Sequence, residues 1–240
     1  MGQLKRYFFT EVDSTQTVLR AWAEAGAPSG TMVWAHHQRA GYGRRGRAWL
    51  ASPGESLTFS LLWRDFVSPT TLLARVALAL HETIQPYLYQ PTFLKWPNDL
   101  WSAPQPLGKL AGILGETKWE GSHFRYVLIG VGLNVYQKHF PPGLRAVSLA
   151  QVGEPPPMLE TLLDSFEQAF LRWIGAPDET VQIAFLQHAW KEGHLHISGK
   201  DLPATLIAWE GDYLHFETPA GKYSLSTTQA TDQWKPTLSA

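Results

Sequence analysis

The sequence predicts an α/β (α+β) protein in which a mixed-sheet domain over residues 1–190 precedes a small all-β domain over residues 191–240. Helix-like and strand-like segments alternate as far as about residue 190. From Gly193 onward, short β-type runs are separated by Gly, Asp and Pro. The 240 residues are also enough to bury a substantial apolar core.

The first elements are one helix and two strands. The helix should begin near Asp13 or Ser14, since either can cap it, and Gly26 should end it. A strand over residues 31–37 then leads into a loop rich in Gly and Arg. A second strand over residues 56–63 alternates imperfectly, which is expected when both of its faces are covered.

The clearest helix follows Ser68 and Pro69, which suit its cap and its first turn. Apolar residues then recur every four positions from Leu72 to Ile84. Periodicity predicts further strands over residues 92–96, 110–116 and 124–135, and helices over residues 157–174 and 179–190.

Composition excludes several classes of protein. The net charge of -1 disfavours nucleic-acid binding by charge alone, and the absence of cysteine excludes disulfides, thiolate metal sites and a cysteine nucleophile. No apolar run approaches the roughly 18 residues that a membrane span needs. We therefore expect a cytoplasmic protein without nucleic-acid or membrane partners.

The loop "GYGRRGRAW" at residues 41–49 combines glycines with arginines, whose planar guanidinium groups suit phosphate or carboxylate. A surface turn with solvated arginines is the simpler interpretation. The loop matches neither a P-loop nor the dinucleotide-binding motif. Further along, "KWPND" at residues 95–99 is an ordinary strand and turn unless it lies at a cleft, where Asn98 and Asp99 would offer oxygens to Mg²⁺ or an amine.

Three further segments contain candidate binding residues. Lys109 leads into a buried apolar strand, which is costly unless its ammonium group meets an anion. In "IGVGLNV" Gly130 and Gly132 weaken a strand unless a ligand or another chain lies against it. Ser14 and Thr15 stand at a helix start, where they could bind a small polar group, although simple capping is the default interpretation.

The order and spacing of these segments are more specific than any one of them. "DST", "Q..GxGRRGRxW", "KWPNDL", "KLAGIL.E" and "IGxGLNV" resemble the biotin–protein ligases, also called biotin–[acetyl-CoA-carboxylase] ligases, from about Val12 to Val135. The resemblance implies a mixed-sheet catalytic domain followed by a small SH3-like barrel. It also implies formation of biotinyl-5′-AMP from biotin and ATP, then transfer of biotin to a lysine of a biotin carboxyl carrier protein.

The resemblance also assigns roles to residues by motif. It implies catalytic roles for Lys109, Arg44, Lys95 and Asp99. Biotin would contact Ser14, Thr15, Gln16, Gln38, Gly41, Tyr42, Gly43, Arg44, Lys109, Gly112, Gly130 and Gly132. ATP would contact Arg44, Arg45, Arg47, Trp49, Lys95, Asn98, Lys109 and Asn134, and Mg²⁺ would be bound through the ATP phosphates and not by an assigned side chain.

The chain departs from the family pattern at two site positions. Tyr42 replaces an arginine of the common "GRGRRGR" form, and Gln16 stands where Asn is common. The tail "YSLSTTQATDQW" lacks the usual "GE(V/I)" of the last strand. Only about a dozen residues precede "DST", so we expect the monofunctional type, which has no DNA-binding domain.

Two alternatives remain open on the residues alone. A lipoate or octanoate ligase would share the fold and the acyl-adenylate chemistry, although those ligases have a different glycine-rich loop. A second alternative is a regulator that binds the adenylate without transferring it, and the presence of Lys109, Lys95 and Arg44 argues against it. The sequence leaves the choice between a monomer and a homodimer open.

Overall fold

A seven-stranded mixed sheet forms the first part of the protein. The computed structural model describes residues 4–65, 68–102 and 106–237. The first elements are β1 (Lys5–Val12), α1 (Thr15–Glu24), β2 (Thr31–Gln38), β3 (Ser56–Trp63), α2 (Pro69–Ile84), β4 (Thr92–Lys95), β5 (Asp99–Ser102), β6 (Gly108–Glu120) and β7 (His123–Asn134). The strand order is β1-β2-β3-β7-β6-β5-β4, and β1 and β2 are parallel whereas the other neighbours are antiparallel.

The second part is an antiparallel sheet that three helices precede. These helices are α3 (Leu149–Val152), α4 (Leu159–Ile174) and α5 (Asp178–His188). The remaining elements are β8 (Glu192–Ile197), β9 (Lys200–Glu210), β10 (Tyr213–Thr218), β11 (Gly221–Ser226), α6 (Thr227–Gln233) and β12 (Trp234–Pro236). The order in this sheet is β11-β10-β9-β8-β12, and the predicted boundary at residue 190 falls between α5 and β8.

The C-terminal sheet is open, whereas a closed barrel was expected. Among the described residues no ladder joins its two edge strands, β11 and β12. The last strand is only three residues long and ends at Pro236, which has no N–H to donate. The prediction of a small β domain is therefore confirmed for its strands, while the closed barrel is not observed.

Helices cover both faces of the large sheet. On one face, Leu19 and Ala23 of α1 pack on Val33, Leu62 and Leu128. On the other face α2 and α4 lie over the sheet, and alternate residues of β3 and β7 point into this second, larger core. Because both faces are covered, all eight residues of β3 are buried, which explains the imperfect alternation of its sequence.

The larger core continues into the C-terminal sheet. The ring of Trp96, just after β4, lies edge-on to Phe185 of α5 and to Trp209 of β9, with ring centroids 5.8 Å and 5.2 Å apart. Phe185 and Trp209 are 5.5 Å apart in the same arrangement. These aromatic contacts join the two sheets into one apolar core.

Several local predictions were incomplete. The predicted caps Ser14 and Ser68 occupy N-cap positions, but neither side chain makes a capping hydrogen bond. The strands β1, β5 and β12 and the helices α3 and α6 were not predicted. The turn predicted at residues 97–99 exists, and Asp99 begins β5, which pairs with β4 as a hairpin.

No helix among the described residues is both long enough and apolar enough to cross a membrane.

Candidate active site

A cavity of about 570 Å³ lies at the N-terminus of α1, on the α1 face of the large sheet. Its floor consists of alternate strand residues, Ser60 of β3, Gly130 and Gly132 of β7, and Gly112 of β6. Their neighbours along the strands, such as Leu61 and Leu133, point into the opposite core. The period of two along each strand thus separates the cavity from the core.

The cavity brings together the predicted site residues. All of them except Gly41 line it: Ser14, Thr15, Gln16, Gln38, Tyr42, Gly43, Arg44, Arg45, Arg47, Trp49, Lys95, Asn98, Asp99, Lys109, Gly112, Gly130, Gly132 and Asn134. The carbonyl of Gly41 accepts a hydrogen bond from the N–H of Trp49 at 2.9 Å, so this glycine shapes the loop instead.

Buried hydroxyl and amide groups occupy the α1 end of the cavity. The Oε1 atom of Gln38 accepts hydrogen bonds from the N–H and the hydroxyl of Thr15, at 2.8 Å and 3.0 Å. The Thr15 hydroxyl lies 2.9 Å from that of Ser60. The side chain of Ser14 lines the cavity and does not cap α1, so among the described residues its hydroxyl is available to a ligand.

A second polar network flanks this end. The Nε2 atom of Gln16 donates to Oε2 of Glu116 at 2.9 Å, and Arg20 donates to the same oxygen at 2.6 Å. Arg20 also donates to the Tyr42 hydroxyl at 2.7 Å, and that hydroxyl lies 3.4 Å from Oε1 of Glu116. Gln16 and Tyr42, the two departures from the family pattern, therefore belong to one network.

The arginine loop folds back over the sheet. An antiparallel bridge joins Tyr42 to Ala48, and Gly43 N–H donates to the carbonyl of Arg47 at 2.8 Å. At the end of the loop, the indole of Trp49 packs directly against the backbone of Gly132. A Cβ at position 132 would lie only 2.3 Å from the ring, so a side chain there would displace it. The indole Nε1 is buried without a hydrogen-bond partner among the described residues.

Cationic groups converge on the opposite end of the cavity. The Nζ of Lys109 forms an ion pair with Oδ1 of Asp99 at 2.7 Å. The anion that was expected beside Lys109 is therefore, in this structure, a carboxylate of the protein. Burial lowers the pKa of Lys95, and the charges of Lys109 and Arg145 lower it further, whereas Asp99 raises it. Such a cluster favours binding of a polyanion.

The arginine side chains of the loop at residues 41–49 point to different partners. An Nη1 of Arg44 donates to the carboxamide oxygen of Asn98 at 3.4 Å, which joins the loop to the turn before β5. Arg45 instead pairs with Asp232 of α6 at 3.1 Å, and its backbone is left-handed with φ of 57°. Both amide hydrogens of Asn134 donate to backbone carbonyls.

Sequence reasoning missed several lining residues. Arg145 adds a cation, and it directly precedes residues 146 and 147, whose backbone pairs with that of Lys109. Thr231 brings α6 to the cavity edge. Trp101 lies below the ammonium group of Lys95, with Nζ 4.7 Å from the ring centroid. Neither Arg145 nor Thr231 belongs to a recognisable sequence motif, and only the tertiary fold brings them to the cavity.

Within residues 4–65, 68–102 and 106–237, no group of three or more His, Cys, Asp or Glu side chains could hold a metal ion. Asp99 is the only carboxylate of the cavity lining as described, and Asn98 beside it offers a carboxamide oxygen. Two such donors fit Mg²⁺ that takes most of its ligands from phosphates and water.

Known proteins share this sequence pattern and this fold. The chain belongs to the biotin/lipoate A/B protein ligase family, whose model matches residues 8–134. Its fold matches the biotin protein ligase from Aquifex aeolicus in complex with biotin and ATP with a TM-score of 0.76 at 23% identity, over 96% of this chain and 97% of that one.

Named relatives are similar over part of their length. The biotin–[acetyl-CoA-carboxylase] ligase of Mycobacterium tuberculosis is 34% identical over 69% of this chain and 64% of its own. The bifunctional ligase/repressor BirA of Bacillus subtilis is 37% identical over 58% of this chain and 44% of its own. The chain thus spans less than half the length of that BirA relative.

Proposed function

We propose that this protein is an ATP-dependent biotin–protein ligase. The observation that supports this most is one cavity with a buried hydroxyl and amide end and a cationic end. Lys109 and its partner Asp99 stand at the cationic end. A neutral polar ring with a carboxylate tail suits the first end, and a triphosphate suits the second.

The proposed first step joins the two substrates. A carboxylate oxygen of biotin attacks the α-phosphorus of ATP, the bond from that phosphorus to the bridging oxygen breaks, and pyrophosphate leaves. Both reactants are anions, so fixed positive charge must hold them together and stabilise charge in the transition state. We assign this role to Lys109 and Arg44, with Lys95 nearby.

In the second step, a lysine amine of a biotin carboxyl carrier protein attacks the acyl carbon of biotinyl-5′-AMP. An amide bond forms, the mixed-anhydride bond between the acyl carbon and the phosphate oxygen of AMP breaks, and the amine loses a proton as AMP leaves. We assign to Asp99 the role of accepting a hydrogen bond from the incoming lysine. Mg²⁺ would enter with the ATP phosphates near Asn98 and Asp99 and would offset phosphate charge.

The names of two relatives support a particular partner. Both are called biotin–[acetyl-CoA-carboxylase] ligases, which suggests that the biotin acceptor is the carrier protein of acetyl-CoA carboxylase. ATP and such a carrier are cytoplasmic, where we place this enzyme.

The direct test is exchange of labelled pyrophosphate into ATP without any carrier protein. We expect exchange that depends on biotin and is absent with lipoate or octanoate. Exchange with lipoate alone would assign the protein to the lipoate branch of the family. The absence of exchange with all three acids would contradict adenylation and favour a regulator.

A further inference from the structure

Gln16 and Tyr42 are distant in sequence, yet both reach the carboxylate of Glu116. Gln16 bonds to Oε2, and the Tyr42 hydroxyl lies 3.4 Å from Oε1. Glu116 lies in β6 as the last residue of the motif "KLAGIL.E", and the resemblance assigns it no ligand contact. This carboxylate therefore connects the two unusual residues of the site.

The network fixes the orientation of the Gln16 amide. Its Nε2 donates to Glu116 at 2.9 Å and lies 3.4 Å from the carbonyl oxygen of Leu128. Both neighbours of Nε2 are acceptors, so a flipped amide would set its oxygen against two other oxygens. The unflipped orientation is therefore strongly preferred.

The amide oxygen is left as an unused acceptor. Gln16 is 3% exposed, and its Oε1 has no hydrogen-bond partner among the described residues. A Cβ built on Gly130 would lie 2.9 Å from this oxygen, so it faces the backbone of a cavity glycine. A buried acceptor without a donor is costly, and a ligand with an N–H group would remove that cost.

Arg20 and Tyr42 hold Glu116 in place. Arg20 donates to Glu116 at 2.6 Å and to the Tyr42 hydroxyl at 2.7 Å, so the guanidinium bridges the two. The pair is only partly exposed, with 44% of the Arg20 side chain and 32% of the Glu116 side chain accessible. A carboxylate with three hydrogen-bonding neighbours has little freedom to release Gln16.

We propose that Glu116, held by Arg20 and Tyr42, is a positioning residue that fixes the Gln16 amide with its oxygen available to a ring N–H of the acid substrate. This inference rests on the proposed function and deepens it. The cyclic urea of biotin has N–H donors, whereas a dithiolane ring or an alkyl chain has none. A buried acceptor selects for the donor, because an acid that lacks it leaves the oxygen unpaired.

The test is a double-mutant cycle in carrier-free pyrophosphate exchange. We expect Glu116→Ala to raise the KM for biotin about tenfold, with kcat within about twofold, because the cationic end is unchanged. Gln16→Leu should raise KM at least as much. Adding Glu116→Ala to Gln16→Leu should change KM by less than about twofold, because Glu116 acts through Gln16.

Two further variants separate positioning from stability. Glu116→Gln keeps an oxygen that accepts from Gln16 and should recover most of the wild-type KM. Glu120→Ala removes a carboxylate of the same strand that pairs with Arg125 outside the cavity, and it should leave KM unchanged.

The outcomes distinguish the two proposals. Wild-type protein that shows no biotin-dependent exchange contradicts the proposed function, and this inference with it. Biotin-dependent exchange in which the effects of Glu116→Ala and Gln16→Leu multiply contradicts only the positioning role. A fall in kcat at unchanged KM in Glu116→Ala would also overturn it.

Discussion

At Gly132 the large sheet carries no side chain, and the indole of Trp49 packs against the backbone there. The sequence predicted that glycines here make room for a ligand. In the structure, Trp49 occupies that space and also lies 3.2 Å from where a Cβ of Gly112 would be. The glycines thus form a slot for a flat ring, and the loop that would cover a ligand is anchored in it.

Filling this slot should release the loop. A Cβ at position 132 would lie 2.3 Å from Trp49, closer than real contacts allow, so Gly132→Ala should displace the indole. We expect trypsin to cleave at Arg44, Arg45 and Arg47 at least about threefold faster, because the loop loses its anchor. Digestion followed by mass spectrometry measures this rate.

Gly175→Ala is the matched control, since the nearest atoms to its Cβ would be 3.7 Å and 3.9 Å away. Its cleavage should match the wild type. Unchanged cleavage in Gly132→Ala would show that Trp49 does not anchor the loop.

At the scale of elements, a pair of histidines joins the C-terminal ends of α2 and α5, with His81 buried and His188 partly buried. The rings of His81 and His188 are 4.1 Å apart, and Nδ1 of His81 lies 2.6 Å from the Thr92 hydroxyl. Burial lowers the pKa of His81 to about 4, with His188 acting in the same direction. Burial also lowers the pKa of His188, although Glu82 opposes this.

This pair should make the stability of the protein pH-dependent. His81 stays neutral in the folded state, whereas in the unfolded chain it binds a proton below its ordinary pKa of about 6.5. The free energy of unfolding should therefore fall between about pH 6.5 and pH 4, by roughly 2 kcal/mol from His81. Urea denaturation at several pH values measures it.

His81→Gln keeps a partner for Thr92 but does not titrate, so it should flatten this part of the pH profile. His123→Gln, at an exposed position on β7, should leave the profile unchanged. Parallel profiles for wild type and His81→Gln would contradict the assignment.

Periodicity and turn residues predicted most elements because these signals are local. The strand over residues 56–63 and the helix after Ser68 lie where they were expected. β1 was missed because it lies at a sheet edge, where most of its residues are only partly covered and its pattern is weak. β5 was missed because its first residue belongs to the turn motif "PND".

At the scale of the whole molecule, one apolar core spans both sheets. Trp209 of the C-terminal sheet contacts Trp96 and Phe185 of the first part of the chain. The charge pair between Arg45 and Asp232 crosses the same boundary at the surface. An exposed pair contributes little, so the aromatic contacts should dominate the coupling.

Truncating Trp209 should therefore weaken both sheets together. We expect Trp209→Ala to lower the free energy of unfolding by about 3 to 5 kcal/mol, in one transition shared by both sheets. Hydrogen exchange with mass spectrometry in urea resolves peptides from each. Ile207→Ala, on the same strand but 41% exposed, should have a small effect. Weakening confined to residues 192–236 would contradict this coupling.

The sequence located the site by motif but not its internal contacts. The motifs predicted which segments meet at the cavity. They did not predict that Lys109 pairs with Asp99, that Arg45 turns to α6, or that Glu116 joins Gln16 to Tyr42. Those contacts link residues on separate elements, and only the folded sheet brings them within hydrogen-bonding distance.

We propose that Lys109 stands where a biotin carboxylate meets an ATP phosphate. The most direct measurement is biotin-dependent pyrophosphate exchange by Lys109→Gln beside Lys118→Gln, an exposed lysine of the same strand. We expect Lys109→Gln to lower exchange at least about 100-fold through lost electrostatic stabilisation, and Lys118→Gln to match wild type. Equal exchange in the two variants would contradict the claim.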